Sequence, residues 1–320
     1  MGSALRLLAH VHGYPPDHNA GAEWMLHSIL RWLLWRGHQV RVLASTAAEP
    51  YEIGGVPVHP IGARRATDVH YAWSNVVLTH LDLTTEVLGL GRVNARPLVH
   101  LVHNHRQLDF YRVTSAPLVI FCAAWIAEKV GRQGPAIIVH PPVFVRDYDL
   151  IAANGRSAAT LVNTNSSKGA ETVFEMARRM PERAFLGVRG AYGHQIDPDL
   201  PNVRVVPNTA DMRQVYSRTR VLLMPSSYES WGRVAIEAAV SGIPTIAHPT
   251  PGLLESLGDA GTFVDRDDVD GWCAALRAFD DPRVYTAASE RARARAREIA
   301  DASWPELEAL ESALLKVVAR

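Results

Sequence analysis

Two glutamates, Glu229 and Glu237, lie where a predicted strand gives way to a predicted helix, with seven residues between them. The apolar run from Val221 to Met224 predicts a buried strand, and the small, helix-favouring residues from Arg233 to Val240 predict a packed helix. A rise of about 1.5 Å per residue then puts the two carboxylates roughly 10 Å apart. This separation is wider than the ~5 Å between the carboxylates of a retaining glycosidase, and it suits the two ends of one extended ligand, such as a ribose and a hexose. The alternative is that Glu229 interacts only with the helix dipole and that Glu237 is a solvated helix residue.

The stretch around these glutamates resembles the family 4 glycosyltransferases of the GT-B type. Glu229 and Glu237 match the E-x7-E motif of that family, and the resemblance extends from Val203 to Asp265. Further matching features are the Pro225-Ser226 pair, Gly232, the Glu237-Ala238 pair, the turn from Ser241 to Pro244 and the segment from Gly252 to Glu255. The family more often has Gly and Phe where this chain has Ser230 and Trp231, and this departure lies in the sugar pocket.

The resemblance implies an α/β protein with the GT-B fold, in which two Rossmann-like domains face each other across a cleft. It implies a nucleoside-diphosphate sugar as the donor, transfer with retention of anomeric configuration, and neither a metal nor another cofactor. It assigns Glu229 and the backbone amides of Ser230, Trp231 and Gly232 to the sugar hydroxyls. It assigns Glu237 to the ribose.

The segment from Ser166 to Glu171 follows the first predicted strand of the second half and opens its first predicted helix. A phosphate there would meet free amides, the positive end of the helix dipole and the ammonium of Lys168. The resemblance assigns Lys168 and Gly169 to the donor diphosphate. The alternative is an ordinary surface lysine at a helix start.

The family commonly carries an arginine shortly before this lysine, whereas this chain has Val162, Asn163, Thr164 and Asn165 in that region. Asn163 or Asn165 would be a weak substitute. Arg189 and Gly190 follow the next predicted strand, and they resemble the glycine turn that faces the nucleotide in the family. Arg189 is therefore the candidate cation for the phosphates.

The segment from Pro97 to Gln107 holds three histidines, His100, His103 and His105. They suggest a metal site, but His100 and His103 point to opposite faces of an extended run and no acidic partner is in register, which argues against one. The resemblance assigns His103 to the wall of the sugar site and His80 to an acceptor contact. The alternative for His103 is a structural histidine.

The loop from Tyr14 to Trp24 joins the first predicted strand to the first predicted helix. Its Ala20-Gly21-Ala22-Glu23 resembles the glycine loop of the family, with Ala20 in place of the first glycine. Gly21 would let the backbone approach the diphosphate or the acceptor. The alternative is an ordinary strand-to-helix loop.

Composition restricts the class of protein. A chain of 320 residues suits two domains, and 48% hydrophobic and 21% charged residues with a formal net charge of zero argue against a nucleic-acid partner. Cys122 and Cys273 have no metal spacing and are predicted to be reduced core residues. We expect a cytoplasmic protein, since no signal peptide or apolar stretch of ~18 residues is present. A peripheral membrane contact stays open through the helix that carries Trp24, Trp32 and Trp35, although the helical spacing of its apolar residues favours core packing.

Short apolar runs alternate with helical stretches in both halves of the chain, which predicts parallel sheets wound with helices. The predicted linker runs from Val145 to Ser157 and is rich in small and polar residues. It separates a first domain at residues 1–145 from a second at 146–302. Ser303, Trp304 and Pro305 predict the start of a last helix that extends to Val318. The resemblance implies that this last segment, 303–320, packs back on the first domain.

The resemblance thus implies a glycosyltransferase whose second domain binds the donor and whose first domain binds an acceptor hydroxyl, that of a bacterial small molecule or glycolipid. Glu229, Lys168 and His103 are the predicted catalytic residues, and Lys168 with helix amides would stabilise the leaving diphosphate. Two alternatives remain. A nucleotide-sugar epimerase or hydrolase of the same fold would need a well-placed carboxylate in the first domain, and a non-catalytic sugar-nucleotide-binding protein would not need Glu229, Glu237 and Lys168 together.

Overall fold

The structure is a computed structural model that describes residues 4–62, 64–105, 116–131, 134–150 and 155–319. The chain divides into two compact units. Unit 1 comprises residues 1–142 and 303–320, and unit 2 comprises residues 143–302.

The sheet of unit 1 is almost entirely parallel. Its strands follow the order β3-β4-β2-β1-β5-β6-β7-β8, and among the described strands only β3 and β4 pair antiparallel. The strands are β1 (Arg6–Val11), β2 (Gln39–Ala44), β3 (Tyr51–Ile53), β4 (Val56–Pro60), β5 (Val76–His80), β6 (Leu98–Val102), β7 (Leu118–Phe121) and β8 (Ala136–Ile138).

The helices of unit 1 connect these strands. They are α1 (Gly21–Trp35), α2 (Arg64–Trp73), α3 (Thr84–Val93) and α4 (Ala124–Val130). On α1 the apolar face is buried, with Met25, Leu26, Ile29, Leu30 and Leu33 inaccessible to solvent, so the predicted core packing of this helix is confirmed. Trp35, at the end of α1, is 66% exposed.

Unit 2 contains a six-stranded parallel sheet in the order β11-β10-β9-β12-β13-β14. This is the strand order of the Rossmann fold, and it reverses between β9 and β12. The strands are β9 (Ala158–Val162), β10 (Phe185–Val188), β11 (Val203–Val206), β12 (Thr219–Met224), β13 (Thr245–Ala247) and β14 (Gly261–Phe263). Ligands of such sheets bind at the carboxyl ends of the strands where the order reverses.

In the described part of unit 2, six helices surround this sheet. They are α5 (Val145–Tyr148), α6 (Ala170–Arg179), α7 (Arg213–Tyr216), α8 (Arg233–Val240), α9 (Pro251–Leu257) and α10 (Val269–Ala278). Cys122 in unit 1 and Cys273 in unit 2 are both buried and neither forms a disulfide, as predicted. The predicted linker is not wholly irregular, because α5 lies within it; residues 151–154 of the linker are outside the described residues.

The prediction that a separate helix starts near Ser303 is wrong. A single helix, α11 (Pro282–Val318), runs through this region with Pro305 inside it. A proline inside a helix removes one backbone hydrogen bond and crowds the preceding turn. Apolar side chains are buried on both sides of the proline, from Ala292 to Ile299 and from Leu307 to Leu314, and this packing holds the helix together across the defect.

Candidate active site

Lys168 ends a 3-10 turn, Ser166–Lys168, that follows β9 in unit 2. The side chain of Asn165 caps this turn, because its Oδ1 accepts a 3.0 Å hydrogen bond from the Lys168 amide. Gly169 comes next with φ +82°, and a Cβ at this position would lie 2.5 Å from the Pro225 carbonyl oxygen. Glycine is required here both by the backbone conformation and by close packing against the loop after β12.

The loop after β12 brings Glu229 to Lys168. The Lys168 Nζ lies 2.5 Å from the Glu229 Oε1, and the Ser226 hydroxyl donates a 2.8 Å hydrogen bond to the same oxygen. A backbone bond of 2.9 Å from Ser227 N to Ser167 O joins the two loops. The side chains of Lys168 and Glu229 are 27% and 12% exposed. The structure therefore pairs two residues that the sequence assigned to different parts of the donor.

The loop from Glu229 to Gly232 is held against the start of α9. Gly232 caps α8 with φ +88°, and a Cβ there would lie 2.5 Å from a methyl carbon of Leu253. A Cβ on Gly252 would lie 2.3 Å from the Glu229 carbonyl oxygen. Ser230 stays partly accessible, whereas Trp231 is buried, so the indole packs inside unit 2. The first amides of α8 point along the helix axis towards this loop, as at any helix start.

Glu237 lies on α8 and is only 4% exposed, so the alternative of a solvated helix residue is wrong. The Arg233 Nε lies 2.7 Å from its Oε1. The Tyr216 hydroxyl donates a 2.8 Å hydrogen bond to its Oε2. Burial, assisted by the Glu237 carboxylate, raises the pKa of Tyr216 well above its usual range, so this hydroxyl keeps its proton.

Arg189, the predicted replacement for the missing arginine, forms an ion pair with Asp197, and both side chains are 49% exposed. The amide of its neighbour Gly190 donates a 2.8 Å bond to the Gln195 side chain. A Cβ on Gly190 would lie 2.2 Å from the Asn163 side chain, so a larger residue at this position would displace that side chain. Asn163 itself has φ +73°.

A cation that the sequence reasoning missed lies beside the Lys168 turn. Arg266 follows β14, and its guanidinium donates to the Ser166 carbonyl oxygen. Its backbone amide donates a 3.0 Å bond to the His248 ring. No local motif marks Arg266, and only the position of β14 in the sheet brings it to this edge.

Two of the predicted residues of unit 1 also meet. The His80 Nδ1 lies 2.9 Å from the His103 Nε2, and both rings are buried. Burial lowers the pKa of His80 to about 4. Burial and the neighbouring His80 and His100 hold the pKa of His103 well below its usual value. Both rings are therefore neutral near pH 7, and one donates the shared hydrogen bond to the other.

Gly21 is the first residue of α1 and is exposed, and a Cβ there would meet no atom within 4 Å. The packing of the protein itself does not require glycine at this position. A cavity of about 230 Å³ lies elsewhere, between the β10–β11 edge of unit 2 and α7. Its lining includes none of the predicted site residues.

Comparison with known proteins finds similar sequences among the glycosyltransferases. Residues 167–279 match the family described as Glycosyl transferases group 1. The D-inositol 3-phosphate glycosyltransferase of Mycobacterium marinum is 33% identical over 285 residues, which cover 86% of this chain and 56% of that protein. The O-antigen chain mannosyltransferase B of Escherichia coli is 33% identical over 95 residues, 29% of this chain and 24% of that protein.

Solved structures have the same fold. HepE of Anabaena, in complex with UDP-glucose, superposes with a TM-score of 0.78 at 16% identity, covering 96% of this chain and 100% of that chain. Sucrose-phosphate synthase of Thermosynechococcus elongatus gives a TM-score of 0.75 at 16% identity, covering 97% and 98% of the two chains.

The fold is therefore GT-B, as predicted. Over residues 167–279 the chain resembles the group 1 glycosyltransferases, which confirms the resemblance seen in the sequence. It spans about half the length of the two inositol-phosphate relatives that match most of it, 56% and 54% respectively. Among the described residues, no helix combines the length and the apolar character that crossing a bilayer requires.

Proposed function

We propose that the chain is a retaining glycosyltransferase that works without a metal ion. It would move a sugar from a nucleoside-diphosphate sugar to a hydroxyl of a bacterial small molecule or glycolipid. The observation that carries the proposal is the contact between Lys168 and Glu229, because it lies at the carboxyl ends of β9 and β12, where the strand order of unit 2 reverses.

Lys168 is the proposed phosphate ligand. Its ammonium extends from the turn before α6, and the amides at the start of this helix add the positive end of a helix dipole. A diphosphate bound there would draw the ammonium away from Glu229. The charges that stabilise the leaving diphosphate would then be fixed before the reaction, which is the largest contribution to catalysis in many enzymes.

Glu229 is the proposed ligand of the donor sugar. Once the ammonium has moved to the phosphates, the carboxylate has free lone pairs for sugar hydroxyls, while Ser226 keeps holding Oε1. Ser230 and the backbone amides before α8 belong to the same loop as Glu229. The acceptor hydroxyl would give its proton to the leaving phosphate, because no described side chain stands out as a general base.

Unit 1 is the proposed acceptor unit. The pair of His80 and His103 lies at the carboxyl ends of β5 and β6, and its rings are neutral near pH 7. Neutral imidazoles exchange hydrogen bonds with sugar or acceptor hydroxyls without placing a charge beside them.

The comparisons support the choice of probes. HepE was solved with UDP-glucose, and one relative is a mannosyltransferase, so UDP-glucose and GDP-mannose are the first donors to test. Binding of UDP, GDP and ADP is measured first, by calorimetry and thermal shift in EDTA and again with Mg²⁺. A ligand at 100 times its Kd stabilises the folded state by about 2.7 kcal/mol.

We expect at least one nucleoside diphosphate to bind equally well in EDTA and in Mg²⁺. Binding that requires Mg²⁺ would contradict the metal-independent mechanism. NMR of the product then reports the anomeric configuration, and an inverted product would contradict retention. Release of free sugar at the same rate with and without acceptors would favour a hydrolase.

A further inference from the structure

We propose that Arg233 and Tyr216 are positioning residues that hold the carboxylate of Glu237 ready to accept the ribose hydroxyls of the nucleotide. The inference rests on the proposed function, and it takes Glu237 as the ribose ligand, the role that the resemblance in the sequence implies. It adds the residues that would set the preference of the site for a ribonucleotide.

The geometry fixes the carboxylate from two sides. Arg233 is the first residue of α8 and Glu237 lies one turn later on the same face, which places the Arg233 Nε 2.7 Å from Oε1. Tyr216, on α7, donates a 2.8 Å hydrogen bond to Oε2. A carboxylate offers about four lone-pair positions. These two bonds occupy one position on each oxygen, and the side chain of Tyr148 also interacts with this carboxylate. At most one position on each oxygen is then left for ribose hydroxyls.

Burial makes this arrangement costly. The side chains of Arg233 and Glu237 are both only 6% exposed. A buried ion pair loses the hydration of both charges, and well-packed apolar residues often stabilise a fold as well or better. The buried ion pair is therefore better explained by a role of the Glu237 carboxylate in ligand binding than by a contribution to the stability of the fold.

Arg233 and the two tyrosines that surround Glu237, Tyr148 and Tyr216, keep one protonation state each. Burial alone would lower the pKa of the Arg233 guanidinium, but Tyr148 and Glu237 outweigh it, and the pKa is raised. The Tyr148 hydroxyl lies 3.3 Å from an Arg233 nitrogen, and burial with Glu237 raises the pKa of Tyr148 as well. Arg233 thus stays charged, and both tyrosines stay protonated, throughout the pH range of the cell.

A fixed carboxylate binds a diol more tightly than a mobile one. A free glutamate side chain loses rotamer freedom when it binds, whereas one already held by two donors has lost it on folding. Weakening the hydrogen bond from Arg233 or from Tyr216 should reduce what the ribose hydroxyls contribute to the binding free energy of the nucleotide. The contribution of the phosphates should stay unchanged. The preference for a ribonucleotide over its deoxy form reports this contribution directly.

The test is calorimetry with UDP, GDP and ADP, followed by the 2′-deoxy form of whichever binds most tightly. We expect the parent protein to bind the deoxy form about 10- to 100-fold more weakly, as for the loss of a hydrogen bond to a charged group. In Arg233→Gln the preference should fall below about threefold. The matched control is Arg179→Gln, which breaks an exposed pair with Glu175 at the same spacing and should keep the full preference.

Arg233→Gln leaves a buried carboxylate without its cation, so Tyr216→Phe is the second variant. It removes one hydroxyl, keeps the ring, and should lower the preference several-fold while the phosphate contribution persists. Its control is Tyr285→Phe, which removes a hydroxyl that donates 3.1 Å to the Arg220 carbonyl oxygen.

The outcomes separate the two proposals. Failure of the parent protein to bind any of the three diphosphates would overturn the proposed function. Binding without a preference for the ribonucleotide, or a preference that survives intact in a folded Tyr216→Phe or Arg233→Gln variant, would overturn the positioning role and leave Lys168 as the phosphate ligand.

Discussion

Glu229→Gln should bind a free nucleoside diphosphate more tightly than the parent protein while transferring sugar more slowly. In the structure Lys168 is held by Glu229 at 2.5 Å, so a phosphate must compete with a carboxylate for the ammonium. Glutamine keeps the shape of the side chain and a carbonyl oxygen for Ser226 but removes the charge. The variant therefore removes the competitor and the proposed sugar ligand in one step.

The size of the expected gain in affinity follows from how exposed the ion pair of Lys168 and Glu229 is. Exposed ion pairs contribute about 0.2–1 kcal/mol. The side chains here are 27% and 12% exposed, which puts the pair near the upper end, at about 1 kcal/mol. Since 1.4 kcal/mol corresponds to tenfold, affinity for the diphosphate should rise about fivefold. Sugar transfer should fall by about 10- to 1000-fold if Glu229 holds the sugar in the transition state.

Calorimetry in EDTA measures the affinity, and initial rates with the identified donor measure transfer. Glu175→Gln is the control for the change in net charge, because it also removes a carboxylate from an ion pair, on the exposed side of α6. Weaker diphosphate binding in Glu229→Gln would mean that the carboxylate orients Lys168 for the phosphates instead of competing with them. Normal transfer in a folded variant would remove Glu229 from the sugar site.

Three further outcomes are expected. Lys168→Ala should weaken diphosphate binding in EDTA by about 1.5–3 kcal/mol, the loss of a charge-assisted bond, and unchanged affinity by calorimetry would remove Lys168 from the phosphate site. Gly169→Ala should lower the free energy of unfolding by about 1–3 kcal/mol, because its φ is +82° and its Cβ would lie 2.5 Å from the Pro225 oxygen. Gly21→Ala, whose Cβ meets no atom within 4 Å, is the control in the same urea titrations. The pKa of His80 is lowered to about 4 in the folded state, so the unfolded chain binds more protons between about pH 4 and 6.5. The free energy of unfolding should therefore fall as the pH drops through this range, by about 3 kcal/mol from this residue. His80→Asn should flatten that part of the curve, and an unchanged curve would contradict the burial of a neutral ring.

Local patterns in the sequence were enough to predict most elements of the fold. The predicted helix from Arg233 to Val240 matches α8 residue for residue, because a strand, a breaker and a helix cap follow one another within a short segment. The hairpin of β3 and β4 was missed, although Gly54 and Gly55 between two β-rich runs are a hairpin signal. Both glycines have positive φ, as such a turn requires.

The contacts of the candidate site were harder to predict. The sequence placed Lys168 and Glu229 after strands, but their contact depends on β9 and β12 being neighbours in the sheet. Strand order is a property of the whole unit and cannot be predicted from the sequence of either loop. The same holds for Arg266, which reaches the Ser166 carbonyl oxygen from the far edge of the sheet.

Glu237 shows a different limit. Its spacing from Arg233 was visible as a helical pair, yet such pairs usually lie on solvated faces. What buries this one is packing around α8, where Ala235, Ile236 and Ala238 are all inaccessible to solvent. An ion pair can therefore be read from spacing, whereas its burial can be read only from the surrounding structure.

The contact between Lys168 and Glu229 also has a consequence for the order of events, given the proposed function. Before the donor binds, the ammonium and the carboxylate neutralise each other, and neither charge is left unpaired in a site that is only partly exposed. A donor diphosphate would take the ammonium, and the sugar hydroxyls of the same donor would take the carboxylate. A free sugar that bound Glu229 would leave the Lys168 ammonium without an anion. A free diphosphate that bound Lys168 would leave the Glu229 carboxylate without a partner. The intact donor alone satisfies both groups, so the pair would favour it over either of its fragments, which is the discrimination a transferase needs to bind substrate and release the spent nucleotide.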